Sequence, residues 1–162
     1  IKFSEFNKQL DAGYPFSKMK EELLVKYPRQ QELVRAFFER WMECTGDAIQ
    51  PTVEIMREVK AAGYPVYGLS NWSHETFPRL RHRYPFLPEL DDYLLSGMAG
   101  VAKPDEEIFR LFLRRIGRKA DECVFIDDAQ VNIDAANRLG FTALLFTTPA
   151  QLRAELADLG IL

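Results

Sequence analysis

Two adjacent carboxylates, Asp127 and Asp128, follow the apolar run from Cys123 to Ile126. Hard divalent cations prefer oxygen ligands, and Mg²⁺ typically takes one or two carboxylates while keeping several waters. An aspartate here also suits a turn or a helix N-cap, but a cap needs only one of the pair. We therefore predict that the pair binds Mg²⁺. Asn132 and Asp134 either support this site or belong to an ordinary polar helix face.

A hydroxyl and an amide stand at a second junction, where Ser70, Asn71 and Trp72 follow the apolar run that ends at Leu69. Together with the N–H groups of a helix starting there, they could hold an anion, because a helix N-terminus favours negative charge. Taken alone, Ser-Asn before a helix is also the pattern of a plain cap.

A cation stands at a third junction. Lys103 precedes Pro104, which we place at the first position of a helix whose first turn holds Asp105, Glu106 and Glu107. Acidic residues suit that position, whereas an exposed lysine there is unfavourable by about 0.3–1 kcal/mol. We therefore expect an anion near Lys103, and the alternative is a solvated lysine.

The three junctions together offer an anion-binding loop at 70–72, the cation of Lys103 and the carboxylate pair at 127–128. Enzymes of phosphoryl transfer use such groups to position the phosphate and to neutralise its charge. A nucleophile is missing from this set. An enzyme of this design would use an aspartate that forms an acyl-phosphate, with a second acid to protonate the leaving alcohol. No remaining strand end in the sequence offers that pair.

The elements that position these residues follow from the apolar spacing. Up to about Gly46 the spacing is helical and predicts three helices, interrupted near Pro15 and Pro28. Beyond Pro51, strands are predicted over 65–69, near 93–95, and over 123–126 and 143–146. Helices are predicted over 52–62, from about 74, and over 104–116, 131–139 and 150–159.

The strand runs lack polar alternation, which is typical of strands buried on both faces of a parallel sheet covered by helices. We therefore predict an α/β fold, with a helical part at 1–50 and an α/β part at 51–162. Ligands bind at the carboxyl ends of parallel strands, so the three junctions should meet at one edge of the sheet.

Composition excludes several classes of protein. Of the 162 residues, 21 are basic and 24 acidic, giving a formal net charge of -3, which argues against nucleic acid or membrane surfaces as partners. Two cysteines and two histidines are too few for a disulfide scaffold or a zinc module. No apolar run approaches the roughly 20 residues of a membrane span, and we expect a cytoplasmic protein.

Three stretches resemble motifs II, III and IV of the haloacid dehalogenase-like hydrolase superfamily in order and spacing. They are Leu-Ser-Asn-Trp-Ser at 69–73, Ala-Lys-Pro-Asp at 102–105 with Ile-Phe at 108–109, and Phe-Ile-Asp-Asp at 125–128 with Asn132. The stretch at 71–77 is similar to small sugar-phosphate phosphatases of the glucose-1-phosphatase kind and to the amino-terminal phosphatase domain of epoxide hydrolases. The helical part resembles the inserted cap of that superfamily, incomplete at its N-terminus, and 51–162 its Rossmann-like core.

The resemblance implies a role for each motif residue. Ser70 would hydrogen-bond the transferring phosphoryl group, helped by the backbone N–H near Asn71. Lys103 would pair with the nucleophile carboxylate and the phosphate. Asp127 would bind Mg²⁺ directly, and Asp128 directly or through water.

Aromatic residues could complete the substrate site. Trp72 could wall the pocket, but a tryptophan beside an apolar strand is equally suited to core packing. In the cap, Tyr14 and Trp41 could select the substrate or simply build the helix turns.

The family's motif I, a strand of the Asp-x-Asp or Asp-x-Gly-Gly kind that carries the nucleophile, is absent from the sequence. In the family it lies between the strands that here end at Ser70 and Asp127, and without it buried backbone groups would stay unsatisfied. The sequence starts with Ile1 rather than Met. We therefore expect motif I upstream of Ile1, in a segment of about 20 to 45 residues.

The resemblance predicts a Mg²⁺-dependent phosphomonoesterase that acts on a small, sugar-phosphate-like metabolite through an aspartyl-phosphate, with the 162-residue chain alone inactive. One alternative is a haloacid dehalogenase, which needs no metal and typically carries serine or asparagine where this chain has Asp127 and Asp128. Another is a non-catalytic interaction or sensing module. The retained charges of Lys103 and the aspartates argue against it, because clustered charges are costly to keep without partners.

Overall fold

Helices alone form the first part of the computed structural model, which describes residues 3–162, with side chains from Phe6 onward. They are α1 (Phe3–Asp11), α2 (Phe16–Lys26) and α3 (Gln31–Glu39), with 3-10 turns at Pro28–Gln30 and Trp41–Cys44. The breaks lie where the prolines predict them. These helices enclose a core of their own, made of Leu10, Met19, Leu23, Val34 and Phe38. The division into a cap at 1–50 and a core at 51–162 stays a prediction, and its first two residues lie outside the described residues.

Strands and helices alternate in the rest of the chain, which confirms the predicted α/β fold. The elements are α4 (Gln50–Ala61), β1 (Tyr67–Ser70), α5 (Phe77–Arg83), β2 (Asp92–Leu95), α6 (Ser96–Ala99), α7 (Glu106–Ile116), β3 (Val124–Asp127), α8 (Gln130–Arg138), β4 (Thr142–Leu145) and α9 (Pro149–Asp158). None of the described helices has the length and hydrophobicity needed to cross a membrane.

Two helices begin later than predicted, and both changes affect the site. The helix expected from about residue 74 begins at Phe77, so residues 71–76, which follow β1, form a loop rather than a helix N-terminus. The helix expected from Pro104 begins at Glu106, because the Asp105 side chain caps it by accepting a hydrogen bond from the N–H of Glu107 at 2.9 Å. The placement of Pro104 as the first helical residue was therefore wrong, and Lys103 lies before the cap.

The four strands form two parallel pairs rather than one continuous sheet. Strand β1 pairs with β2 from Tyr67 opposite Asp92 to Ser70 opposite Leu95, and β3 pairs with β4 in the same direction. Among the described residues, no strand pairs with the second edge of β1 or of β3.

The expectation that these strands are buried on both faces is only partly met. All four residues of β1 are half-buried, and Ile126 in β3 is 40% exposed. The physical reason is that both strands are edge strands, so neighbouring side chains are lacking on one side.

Helices nevertheless cover opposite faces of the β3–β4 pair. Phe125 packs against α7 and α8 through Phe109, Phe112 and Ile133. The preceding residue, Val124, packs with α4 and α9 instead, in a cluster that contains Ile55, Leu152 and Leu156. Because successive strand residues point to opposite faces, this double cover explains why the neighbouring residues Val124 and Phe125 are both apolar.

Candidate active site

Lys103 links the carboxyl ends of β1 and β3. Its Nζ donates to the backbone oxygen of Leu69 at 2.8 Å and to Oδ2 of Asp127 at 2.6 Å. The two side chains are only 10% and 6% exposed, and Nζ lies 5.6 Å from the ring centroid of Phe125. The anion expected near Lys103 is therefore the carboxylate of Asp127. The ion pair connects the β1–β2 pair to the β3–β4 pair.

Asp127 is held by donors on both carboxylate oxygens. Its Oδ1 accepts the N–H of Ala129 at 2.9 Å and Nδ2 of Asn132 at 2.8 Å, while Oδ2 accepts Lys103. Burial raises the pKa of Asp127, but the Lys103 and Asn132 hydrogen bonds, the charge of Lys103 and the Ala129 N–H together hold that pKa below its ordinary value. Asp127 is therefore a buried carboxylate fixed in its ionised form.

Asp128 has the opposite environment. It is exposed and makes no hydrogen bond or ion pair with any described residue. Of the two supporting residues, Asn132 is 8% exposed and orients Asp127. Asp134 accepts a hydrogen bond from Gln130 within α8 and belongs to the polar helix face.

The metal donors at this edge are the carboxylate pair alone. Within residues 6–162, no group of three or more histidine, cysteine, aspartate or glutamate side chains is placed to hold a metal ion. Mg²⁺ usually takes one or two protein carboxylates and completes its shell with water and substrate phosphate oxygens. The donor chemistry of Asp127 and Asp128 fits that requirement.

Asn71 was expected to help hold an anion, but its side chain is used inside the protein. Its Nδ2 donates to the backbone oxygen of Lys103, and its Oδ1 accepts the N–H of Lys103, both at 2.8 Å. The expected helix N–H groups are not at this junction, because α5 begins at Phe77. The amide of Asn71 therefore fixes the backbone from which the Lys103 side chain extends.

Ser96 and Gly97 hold the same loop, and neither residue was predicted from the sequence. The buried Ser96 hydroxyl accepts the N–H of Trp72 at 2.9 Å, and the N–H of Gly97 donates to the Trp72 oxygen at 3.1 Å. A Cβ at Gly97 would come within 2.7 Å of the backbone nitrogen of His74. A Ser-Gly pair after a strand resembles an ordinary turn, so the sequence carries no signal for this role.

Among the described residues, the Ser70 hydroxyl makes no hydrogen bond with the side chains of Lys103, Asp127 or Asp128. It lines a mainly apolar cavity of about 510 Å³ together with Thr45, Gly68, Trp72 and Leu95. Neither Lys103 nor the aspartates line that cavity. The structure thus joins Lys103 to Asp127 and places Asp128 next along the chain, while Ser70 lines a neighbouring cavity.

The two cap aromatics, for which substrate selection and a structural role in the helix turns were both open, lie in different environments. Tyr14 donates a hydrogen bond to Glu22 within the helical part. Trp41 instead contacts Trp72, with ring centroids 5.1 Å apart, beside a cavity of about 210 Å³ between the helical and the α/β parts. This cavity is lined by Asn7, Leu10, Asp11, Phe16, Trp41, Cys44, Thr45, Trp72, Ser73 and Thr76.

Two of the curated relatives have names that describe the hydrolysis of a phosphate compound. The chain is 31% identical over 105 residues, 65% of its length, to the sesquiterpene phosphatase astK of Aspergillus oryzae, and 25% identical over 143 residues, 82% of its length, to flavin mononucleotide hydrolase 1 of Arabidopsis thaliana. The matches span 54% and 58% of those relatives. The chain therefore covers little more than half of each.

A solved structure shows the same fold. A HAD family enzyme from Bacteroides thetaiotaomicron, crystallised with magnesium and inorganic phosphate, superposes with a TM-score of 0.70, covering 90% of this chain and 77% of that one at 23% identity. The family model for a haloacid dehalogenase-like hydrolase matches residues 5–140. With the fold, the order of the three junctions and this match in agreement, the chain belongs to the haloacid dehalogenase-like hydrolases.

Proposed function

We propose that the protein is a Mg²⁺-dependent phosphomonoesterase that acts on a small phosphorylated metabolite. The observation that carries the proposal is the buried Lys103–Asp127 ion pair with the exposed Asp128 beside it, at the carboxyl end of β3. A fixed cation next to carboxylates suits a reaction in which phosphate charge must be held and neutralised. The names of the two relatives support a phosphate compound as the substrate.

The metal roles of the two aspartates follow from their different environments. Asp128 has no described partner and is the better candidate for a direct ligand, whereas Asp127 already accepts three hydrogen bonds. Asp127 would then contribute charge and hold Lys103, and it would ligate with its remaining lone pair. Bound there, Mg²⁺ would supply positive charge against the phosphate oxygens.

Lys103 is proposed to hold the phosphate and the nucleophile together. Its ammonium already bridges β1 and β3 through Leu69 and Asp127, so it lies where the edges of both strand pairs face the gap. A carboxylate nucleophile on a strand between β1 and β3 would emerge beside it. We place the nucleophile there, outside the described residues, and propose an aspartyl-phosphate intermediate.

The test is phosphate release by the whole protein, including any residues that precede Ile1, with p-nitrophenyl phosphate and glucose 1-phosphate as substrates. Chelation should abolish turnover, and added Mg²⁺ should restore it. Asp128→Asn should lower turnover by about 10²-fold or more and raise the Mg²⁺ concentration needed for half-maximal activity. The 162-residue chain alone should show no turnover.

Glu106→Gln is the matched control, because it removes one carboxylate charge on the neighbouring helix. Glu106 pairs with Arg110 and Arg138 at the surface, so turnover should change little. Metal-independent release of halide from a 2-haloacid, without phosphatase activity, would instead establish a dehalogenase. A whole protein that binds phosphate esters without hydrolysing them would establish a non-catalytic module.

A further inference from the structure

The cavity of about 210 Å³ between the helical and α/β parts has aromatic walls set at steep angles to one another. The rings of Trp41 and Trp72 lie 5.1 Å apart at 69°, and those of Phe16 and Trp41 lie 5.9 Å apart at 79°. The volume is below the roughly 300–1,000 Å³ of pockets that hold drug-sized ligands. The cavity therefore suits a compact group of a few heavy atoms.

Asp11 is the one charged residue among the described residues that line this cavity. Its carboxylate has no hydrogen bond or ion pair with any of residues 6–162, and burial raises its pKa to about 6. An unpaired, partly buried carboxylate lowers the stability of a fold. Groups of this kind, beside a cavity and without a protein partner, are often retained because they bind a ligand.

We propose that this cavity binds a compact organic ammonium group, carried by the leaving alcohol of the phosphate ester. The cation would satisfy the Asp11 carboxylate, and the aromatic side chains that line the cavity would be suitable neighbours for it. A neutral leaving group would leave the carboxylate unpaired, and an anionic one would be repelled by it. The link to the leaving alcohol rests on the proposed phosphatase function, whereas ammonium binding itself does not.

The cavity adjoins the larger one that contains Ser70. Trp72, Cys44 and Thr45 line both, so a short molecule with its ammonium at Asp11 would extend past Trp72 toward Ser70. The indole N–H of Trp72 is buried without an acceptor among the described residues.

Binding can be measured on the 162-residue chain without any catalysis. Its two tryptophans are Trp41 and Trp72, so intrinsic tryptophan fluorescence reports on this cavity. We expect a saturable change with choline chloride, measured against sodium chloride at equal ionic strength. The neutral isostere 3,3-dimethyl-1-butanol should bind at least tenfold more weakly.

Asp11→Asn should weaken choline binding at least tenfold while keeping the shape of the side chain. Asp158→Asn, an exposed aspartate on α9 away from the cavity, should leave binding unchanged, and circular dichroism checks that both variants are folded. Equal binding of choline and its neutral isostere, an unchanged affinity in Asp11→Asn, or no binding of choline at all would each overturn the proposal.

Kinetics of the whole protein test the link to the substrate. Asp11→Asn should lower kcat/KM at least tenfold for phosphocholine and leave p-nitrophenyl phosphate within twofold. Choline binding without any phosphatase activity would reject the phosphatase but keep the ammonium site. If the whole protein hydrolyses p-nitrophenyl phosphate but Asp11→Asn lowers kcat/KM equally for both substrates, Asp11 does not select the leaving group. The phosphatase function would still stand in that case.

Discussion

The ammonium of Lys103 lies 2.6 Å from Oδ2 of Asp127 and 2.8 Å from the backbone oxygen of Leu69, so that one side chain joins the ends of β1 and β3. With exposed fractions of 10% and 6% for the two side chains, each charge depends on the other for compensation. A buried pair of this kind is costly to break, because the partner left behind is an uncompensated buried charge.

Replacing Lys103 with methionine should therefore lower the free energy of unfolding by about 3–5 kcal/mol, measured by urea denaturation. Adding Asp127→Asn to Lys103→Met should recover part of this loss, because the stranded charge is then removed. Lys8→Met is the control, since Lys8 is exposed on α1, and it should change stability by less than about 0.5 kcal/mol. Simple additivity of the two site substitutions would contradict the ion pair.

The double hydrogen bond of Asn71 gives a second prediction. Asn71→Asp would replace the Nδ2 donor with an oxygen that faces the backbone oxygen of Lys103, so the bond is lost and repulsion takes its place. We expect a loss of about 1–3 kcal/mol in the free energy of unfolding. Asn137→Asp on the exposed face of α8 should show no comparable loss, and equal effects of the two substitutions would argue against the clamp.

Gly97 should not tolerate a side chain. An alanine Cβ would lie 2.7 Å from the His74 nitrogen and 2.8 Å from the Trp72 oxygen, and both are backbone atoms that cannot rotate away. Gly97→Ala should cost about 1–3 kcal/mol and lower the Tm. Gly46→Ala is the matched comparison, because nothing lies within 4 Å of its Cβ position; similar Tm values for the two variants would refute the close approach.

Asp11 should make stability depend on pH. Burial raises its pKa from 3.8 to about 6, so the folded chain binds its proton more tightly than the unfolded chain does. The stabilisation that comes from this tighter proton binding is therefore fully present below about pH 3.8, and it is lost as the pH rises through about 6.

Asp11→Asn removes this dependence. Its free energy of unfolding should match the parent near pH 3.5 and exceed it by about 1–2 kcal/mol near pH 7.5, because solvent partly screens the half-buried carboxylate. Urea denaturation at several pH values measures the difference, with Asp158→Asn as the exposed control. A constant difference across the pH range would show that Asp11 is not desolvated in the folded chain.

Local patterns in the sequence were sufficient for the class of fold. The helical spacing before Gly46 and the continuous apolar runs after it arise because each side chain is buried on a particular face of its helix or strand. The apolar spacing also predicted the end of α7, which lies at Ile116. The junction residues could also be identified from the sequence, because polar groups directly after an apolar strand lie at its carboxyl end. The start of α7 could not be predicted from the sequence, since the side chain of Asp105 rather than the ring of Pro104 determines it.

By itself, the sequence determined the α/β alternation, the three polar junctions and the resemblance to the family, because these depend on residue types and on spacing along the chain. Only the tertiary structure decided what each junction residue touches. Asn71 and Lys103 are 32 residues apart and Lys103 and Asp127 are 24 apart, and no local pattern encodes contacts across such distances. The same holds for the cavity beside Asp11, because its lining residues come from both the helical and the α/β parts of the chain.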